Sequence, residues 1–211
     1  MANSATLAVV TGSHPFDVPN FHKLFRSLAG VDAYIQHMED FAASSEEVRD
    51  GYDAVLLYHM IMATPADGVA AALEHLGQTA QGVVVLHHAI LAFPQWHFWT
   101  DLTGLADRSF GFHPDQHLHI DIADADHPIT KGLTHWDMTD ETYTMAEPVG
   151  DNRLLLSTDH EKCMKSIAWT RRLGKSRVFC YQSGHDNVTW ADENFREVLR
   201  RGVLWSAGRL S

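Results

Sequence analysis

The sequence predicts one α/β domain, built on a mainly parallel sheet with an antiparallel extension. In the first half of the chain, short β-branched runs alternate with amphipathic segments, which is typical of parallel strands joined by crossover helices. In the second half, strand-like segments follow one another through loops that are too short for a crossover, so neighbouring strands there must be antiparallel. The 211 residues, 45% of them apolar, suit a single domain over 1–211 with a sizeable core.

The first half contains four predicted strands, of which the third and fourth are apolar on both faces, as central parallel strands are. They cover residues 7–12, 32–38, 54–60 and 82–89. A helix is predicted over 17–29, where apolar residues recur at helical spacing. A second helix lies between the third and fourth strands, with Thr64 as its N-cap and Pro65 as its first residue, and an aromatic-rich helix covers 94–106.

The second half continues with strands rather than crossovers. The predicted strands are residues 117–124, 154–158, 166–172 and 177–182. The loop over 173–176 can only join antiparallel neighbours. An amphipathic helix over 192–207 is predicted to close the domain.

Charge and cysteine content exclude several classes of partner. With 16 basic and 27 acidic residues the formal charge is −11, and basic residues cluster no further than the pairs 171–172 and 200–201. Nucleic acids and anionic membranes need a basic surface, so a small molecule is the better candidate. No apolar run approaches the ~20 residues of a membrane span. Two cysteines, Cys163 and Cys180, and the absence of a signal peptide predict a cytoplasmic protein.

Five of the fifteen histidines lie at or just beyond the ends of predicted strands. These are His14, His59, His87, His88 and His185. The carboxyl ends of parallel strands form the edge where α/β sheets bind ligands, so we expect a functional cluster there, although any one of these histidines alone is more typical of packing. Imidazole serves either as an acid–base group or as a metal ligand, and the sequence does not choose between the two.

Carboxylates and flat apolar side chains complete the predicted site. Asp140 and Glu141 are the candidates to orient a histidine or complete a metal site, with a solvated turn as the alternative. Tyr143, Trp96 and Trp190 would present apolar faces to a sugar ring, while imidazole and carboxylate satisfy its hydroxyl groups.

Other motifs point to no established chemistry. The chain has no GxGxxG, GxxxxGK[ST], HExxH, GxSxG or CxxC, which disfavours the corresponding enzyme classes. His117 and His119 share one face of an alternating strand, which is more typical of a solvent-facing surface than of a metal site. His127 precedes a proline and is predicted to fix a turn. Arg171 and Lys162 are candidates for anion contacts or for surface ion pairs.

Taken together, several segments resemble the ThuA-like (trehalose utilisation) family over nearly the whole chain. They are GVVVLHHA, DADHPITKGL with the following MTDETY, IAWTRRLGKSRVFCYQSGHDNVTW and the terminal LWSAG. The resemblance implies a three-layer, flavodoxin-like fold of the class I glutamine amidotransferase type and a connection with bacterial sugar metabolism. It places the family's polar positions on His87, Asp140, Glu141, Tyr143 and the Gly184-His185 pair. The amidotransferase cysteine is absent, since Leu86-His87-His88 stands at that elbow, which excludes glutamine hydrolysis through a thioester.

The leading hypothesis is an enzyme that acts on a sugar or keto-sugar by isomerisation or elimination. His87, Glu141 and His185 would be its catalytic groups, acting as acid–base residues or as ligands of a divalent metal such as Zn or Mn. The alternatives are a metal site that only staples loops and a non-catalytic sugar-binding or complex-forming subunit. The aromatic segment 110–112 and the edge strands are compatible with a homodimer.

Overall fold

The structure is a computed structural model that describes residues 4–211, and the nine strands in this range form one sheet. The strands are β1 (Ala5–Gly12), β2 (Val31–His37), β3 (Ala54–His59), β4 (Gly82–Leu86), β5 (Phe110–Ile122), β6 (Trp136–Met145), β7 (Arg153–Ser157), β8 (Ser166–Leu173) and β9 (Ser176–Tyr181). Their order is β2-β1-β3-β4-β9-β8-β7-β5-β6. Neighbours from β2 to β9 pair in parallel, and those from β9 to β6 pair antiparallel. The predicted parallel core with an antiparallel extension is confirmed.

Helices cover both faces of the sheet. They are α1 (Val18–Ser27), α2 (Met38–Ala43), α3 (Glu46–Asp50), α4 (Asp67–Glu74), α5 (His97–Thr103), α6 (Asn187–Ala191) and α7 (Glu193–Ser206). One core contains Phe21 of α1 and Val198 of α7, and the other contains Phe41 of α2, Leu73 of α4 and Trp99 of α5. Every residue of β3 and β4 is buried, as strands covered on both faces require. Within residues 4–211, no helix is long and apolar enough to cross a membrane.

Two glycines let α7 lie close to the sheet. A Cβ atom added at Gly82 would lie 2.4 Å from the backbone carbon of Ser206, and one added at Gly202 would lie 2.2 Å from the ring of Phe179. The helix therefore packs against β4 and β9 at a distance that a side chain at either position would not allow.

The start of α4 differs from the prediction. The helix begins at Asp67, and its N-cap Ala66 makes no side-chain capping bond, so the assignment of Thr64 and Pro65 to the helix start is wrong. The aromatic helix α5 is also shorter than predicted, because Gly104 ends it in the left-handed conformation with φ 83°.

Strand β6 was not predicted, although it carries Asp140 and Glu141. It pairs with β5 over most of the length of both strands, with a bulge between His113 and Gln116. The two acids therefore lie in a strand and not in a solvated turn, and this register aims β6 at the carboxyl end of β9.

Candidate functional site

His87 stands at a strained elbow directly after β4. The strand ends at Leu86, and His87 has φ 51°, a left-handed conformation that residues other than glycine rarely adopt. Its ring is fully buried, and Nδ1 donates to the backbone carbonyl of Gln182 at 2.7 Å. Because a carbonyl can only accept, Nδ1 carries the hydrogen, and in neutral His87 the lone pair of Nε2 faces the other way.

Three polar atoms surround Nε2 of His87. The Tyr143 hydroxyl lies 2.8 Å away, Nδ1 of His185 3.2 Å and Oε1 of Glu141 3.6 Å. His185 Nδ1 is also 3.5 Å from Glu141 Oε1, so the two histidines and the carboxylate form one triangle, here called the triad. The Tyr143 hydroxyl donates to Glu141 Oε1 at 3.0 Å.

The triad is rich in acceptors and poor in protons. With His87 neutral and Glu141 ionised, the Tyr143 hydroxyl supplies one hydrogen to two acceptors that both lie within hydrogen-bond distance. Burial, followed by the adjacent Glu141, raises the pKa of Tyr143 well above its ordinary value, so that hydroxyl keeps its proton. A site of this kind stabilises an additional cation, either a proton or a metal ion.

Glu141 is the charged member of the triad. Burial acts to raise the pKa of this carboxyl, but the hydrogen bond to His87 and the neighbouring His185 outweigh it and lower the pKa below its ordinary value. The side chains of His87, Glu141 and His185 are 0%, 11% and 30% exposed, so the triad opens to solvent on the His185 side.

Asp140 holds the loop that carries His185. Its carboxylate accepts from the backbone N–H groups of Gly184 at 2.9 Å and His185 at 3.1 Å, and from the Thr189 hydroxyl at 2.8 Å. Burial raises the pKa of Asp140, although the nearby His87 and these hydrogen bonds work against the shift. All three bonds go to protein groups, so Asp140 positions the site.

The triad has the geometry of a metal site. Ligands about 2.0–2.1 Å from a tetrahedral ion lie about 3.3 Å apart, and the three distances within the triad are 3.2, 3.5 and 3.6 Å. A metal-binding histidine usually donates its other ring N–H to a carbonyl or carboxylate, as His87 does to Gln182. The triad could therefore hold a metal ion. Within residues 4–211, the other group with suitable spacing is the more exposed set Glu46, Asp50 and His75.

His14 and His88 lie beside the triad. Their ring centroids are 4.4 Å apart, and the ring of His14 is 6.1 Å from that of His185. His88 packs on Tyr58 at 4.3 Å, and neither of its buried ring nitrogens has a hydrogen-bond partner in the described part of the chain. Burial, followed by the charge of His87, lowers the pKa of His88, so its ring is neutral.

The remaining predicted site residues have other neighbours. His59 is fully buried against Phe93 and Trp99. Trp96 stacks in the same aromatic cluster, 5.4 Å from Phe93. Trp190 is buried, and its Nε1 donates to the carbonyl of Gly184, so it supports the His185 loop from below.

Three residues of the site escaped prediction. Gln182 accepts from His87, and its side-chain Oε1 accepts from the Cys163 thiol at 3.1 Å, while Thr189 binds Asp140. Burial, then Asp140, raises the pKa of Cys163 to about 12, so the thiol is not a nucleophile at neutral pH. Gln182 directly follows β9, and its place at a strand end was the available signal.

The comparison with protein families gives one match over most of the chain. The ThuA family model, described as trehalose utilisation, matches residues 7–206. No curated protein matches the chain.

Solved structures with the same fold include two ThuA-like proteins. The one from Parabacteroides merdae has a TM-score of 0.78 and 21% identity, covering 99% of this chain and 92% of that one. The one from Bacteroides uniformis has a TM-score of 0.74 and 17% identity, covering 98% and 93%. A GMP synthase protein of Thermoplasma acidophilum has a TM-score of 0.57 and 14% identity, covering 96% and 94%, which places the fold among class I glutamine amidotransferase-like domains.

Proposed function

This chain belongs to the ThuA family, and we propose that it acts on a sugar or keto-sugar by removing a proton next to a carbonyl group. The observation that carries the proposal is the convergence of Nε2 of His87, Nδ1 of His185 and Oε1 of Glu141 within 3.6 Å of one another. The description of the family as trehalose utilisation supports a carbohydrate as the substrate class.

His87 is assigned the role of the base. Its Nδ1–H is fixed on a carbonyl, so its Nε2 can accept a proton without a change of tautomer. Glu141 stabilises the imidazolium that forms, because its lowered pKa keeps it ionised at neutral pH. The Tyr143 hydroxyl, 2.8 Å from Nε2, donates a hydrogen bond to the oxygen that becomes negative.

Residues at the opening of the site are assigned to substrate binding. His185 is the most exposed member of the triad, and His14 lies beside it with a buried Nδ1 that has no partner within residues 4–211. Both would bind sugar hydroxyl groups, and His88 lies directly behind His14. Isomerisation and elimination both begin with this proton transfer.

A divalent ion fits the same three ligands. Nitrogen and carboxylate donors in this number suit Zn, and Mn is the second candidate. When bound, such an ion would polarise the substrate carbonyl.

Deuterium exchange tests the proton transfer directly. The protein is incubated with a keto-sugar in D₂O, and the proton next to the carbonyl is followed by NMR, with apo, Zn-loaded and Mn-loaded protein. The wild-type protein should exchange this proton, and His87→Ala should slow the exchange by about a hundredfold or more. A ligand that binds but does not exchange under any of the three conditions would favour the non-catalytic sugar-binding subunit.

Metal binding is tested on protein purified without a histidine tag. Zn or Mn should raise the melting temperature, and Glu141→Gln or His185→Ala should abolish the rise. His75→Ala is the matched control, since it removes a histidine from the other ligand group. If the control loses the rise and the triad variants keep it, the metal binds at Glu46, Asp50 and His75, and the triad acts without it.

A further inference from the structure

A second groove lies at the opposite end of the sheet from the triad. It has a volume of about 630 Å³, and Arg153, Thr170, Arg172 and Trp205 are among the residues that line it. The triad partner Gln182 follows the carboxyl end of β9, whereas Arg172 pairs with Arg177 at the amino end of that strand. Five residues of strand separate the two ends, about 17 Å.

The groove contains two arginines that face each other across a ladder. Arg172 of β8 lies directly opposite Arg177 of β9, so both side chains are on one face of the sheet. Like charges in this position destabilise an antiparallel pair. Within residues 4–211 neither arginine forms an ion pair with a carboxylate, although the chain has 27 acidic residues against 16 basic ones. A bound anion would relieve this repulsion.

The other charges around the groove leave it cationic at one edge. Arg153 is paired with Asp124, and the exposed Asp151 lies at the rim. Arg171 has only neutral partners, since its Nη1 donates to Asn152 Oδ1 at 2.9 Å.

The edge of β8 beside these arginines is open. The ladder between β7 and β8 ends at the pair Arg153–Thr170, so Arg171 and Arg172 extend beyond the neighbouring strand. Two guanidinium groups without carboxylate partners therefore lie next to each other at an accessible edge, and guanidinium groups bind phosphate oxygens in pairs.

An aromatic ring lies beside the charges. Trp205 is half-buried, with the Arg177 guanidinium 5.3 Å from its ring centroid and the His127 ring at 5.1 Å. Arg177 also donates to the Trp205 carbonyl at the end of α7, which fixes its position. Burial, followed by the charge of Arg153, lowers the pKa of His127 to about 4, so His127 adds an aromatic surface but no charge at neutral pH.

We propose that this groove binds a small phosphate monoester, with its phosphate on Arg172 and Arg171 and its ring on Trp205. The volume of 630 Å³ suits a ligand of the size of a sugar phosphate or a nucleoside monophosphate. Both present the same chemistry, a dianionic phosphate attached to a ring. The site is separate from the triad and does not depend on the reaction assigned to it.

Calorimetry on the full chain tests the proposal with glucose 6-phosphate, AMP, inorganic phosphate and glucose. Either phosphate monoester or both should bind more tightly than inorganic phosphate, and glucose should not bind. The tighter of the two monoesters identifies the ring as sugar or base. Arg172→Gln should weaken binding about ten- to a hundredfold, because it removes charge-assisted hydrogen bonds at an exposed position that the fold does not need.

Arg26→Gln is the matched control. Arg26 is an exposed arginine of α1, and its loss changes the net charge by the same amount. Trp205→Leu should weaken binding of the monoesters and leave inorganic phosphate unchanged. The proposal is overturned if neither monoester binds, if inorganic phosphate or glucose binds as tightly as the monoesters, or if Arg26→Gln weakens binding as much as Arg172→Gln.

Discussion

Acid should destabilise the fold through histidines that are buried in the neutral form, and His59 provides the sharpest test. Its ring is fully buried against Phe93 and Trp99, and neither nitrogen has a hydrogen-bond partner among the described residues. Burial lowers the pKa of His59 to about 3, from 6.5 in an unperturbed side chain. The unfolded chain therefore takes up a proton at a pH where the folded chain does not.

The sign and size of the effect follow from these two pKa values. The stability that neutral His59 contributes is fully present above pH 6.5 and is lost as the pH falls towards 3. Between about pH 7.5 and about pH 5 this loss is about 2 kcal/mol. His127, buried with a pKa of about 4, loses a similar amount over the same interval, so the two together cost about 4 kcal/mol. That is a large part of a typical stability of about 5–15 kcal/mol.

The assay is urea unfolding of the wild type and His59→Leu at both pH values. Leucine is close to histidine in volume and carries no titratable group, so the variant should lose about 2 kcal/mol less than the wild type between the two conditions. At the higher pH it should be at least as stable, because two unpaired ring nitrogens are gone. His22→Leu, at an exposed position of α1, is the control and should keep the wild-type pH dependence. An identical pH dependence in wild type and His59→Leu would refute the reasoning.

Two further substitutions test the packing around the site. Asp140→Asn should lower the free energy of unfolding by about 1–3 kcal/mol, because an amide NH₂ would face the N–H of Gly184; thermal melting measures it, with the exposed Asp137→Asn on the same strand as the control. Equal melting temperatures for the two variants would contradict the role given to Asp140. Gly82→Ala should destabilise by about 1–3 kcal/mol or more, since its Cβ would lie 2.4 Å from the backbone of α7. Gly68→Ala in α4, with nothing within 4 Å of the added Cβ, should instead stabilise by up to about 1 kcal/mol, and the opposite order would exclude close packing at α7.

The sheet was predictable where burial is written into consecutive residues. β3 and β4 are buried at every position, and an unbroken apolar run indicates this directly. β6 could not be recognised in the same way, because its buried positions include Asp140 and Thr142. Those polar groups are satisfied by residues far away in sequence, such as Thr189 for Asp140. A single strand carries no record of such partners.

The strand-end rule found the triad but could not give the direction of each side chain. Tyr58 and His59 end the same strand and point to opposite faces of the sheet. The Tyr58 hydroxyl donates to the carbonyl of His185 at 3.2 Å, whereas His59 packs on Trp99 in the other core. Gln182 contributes a backbone carbonyl to His87, and any residue type could do the same. For this reason residue chemistry alone could not identify Gln182.

The elbow explains why a change of residue changes the chemistry and leaves the geometry in place. The φ of 51° at His87 costs conformational energy, and the surrounding bonds must maintain it. Two of them, from Nδ1 to Gln182 and from Tyr143 to Nε2, need both ring nitrogens of an imidazole. A thiol at this position could not make both bonds, because it has a single sulfur atom. In this chain the elbow is therefore matched to a residue that binds a proton or a metal ion, and Glu141 supplies the negative charge that either cation requires.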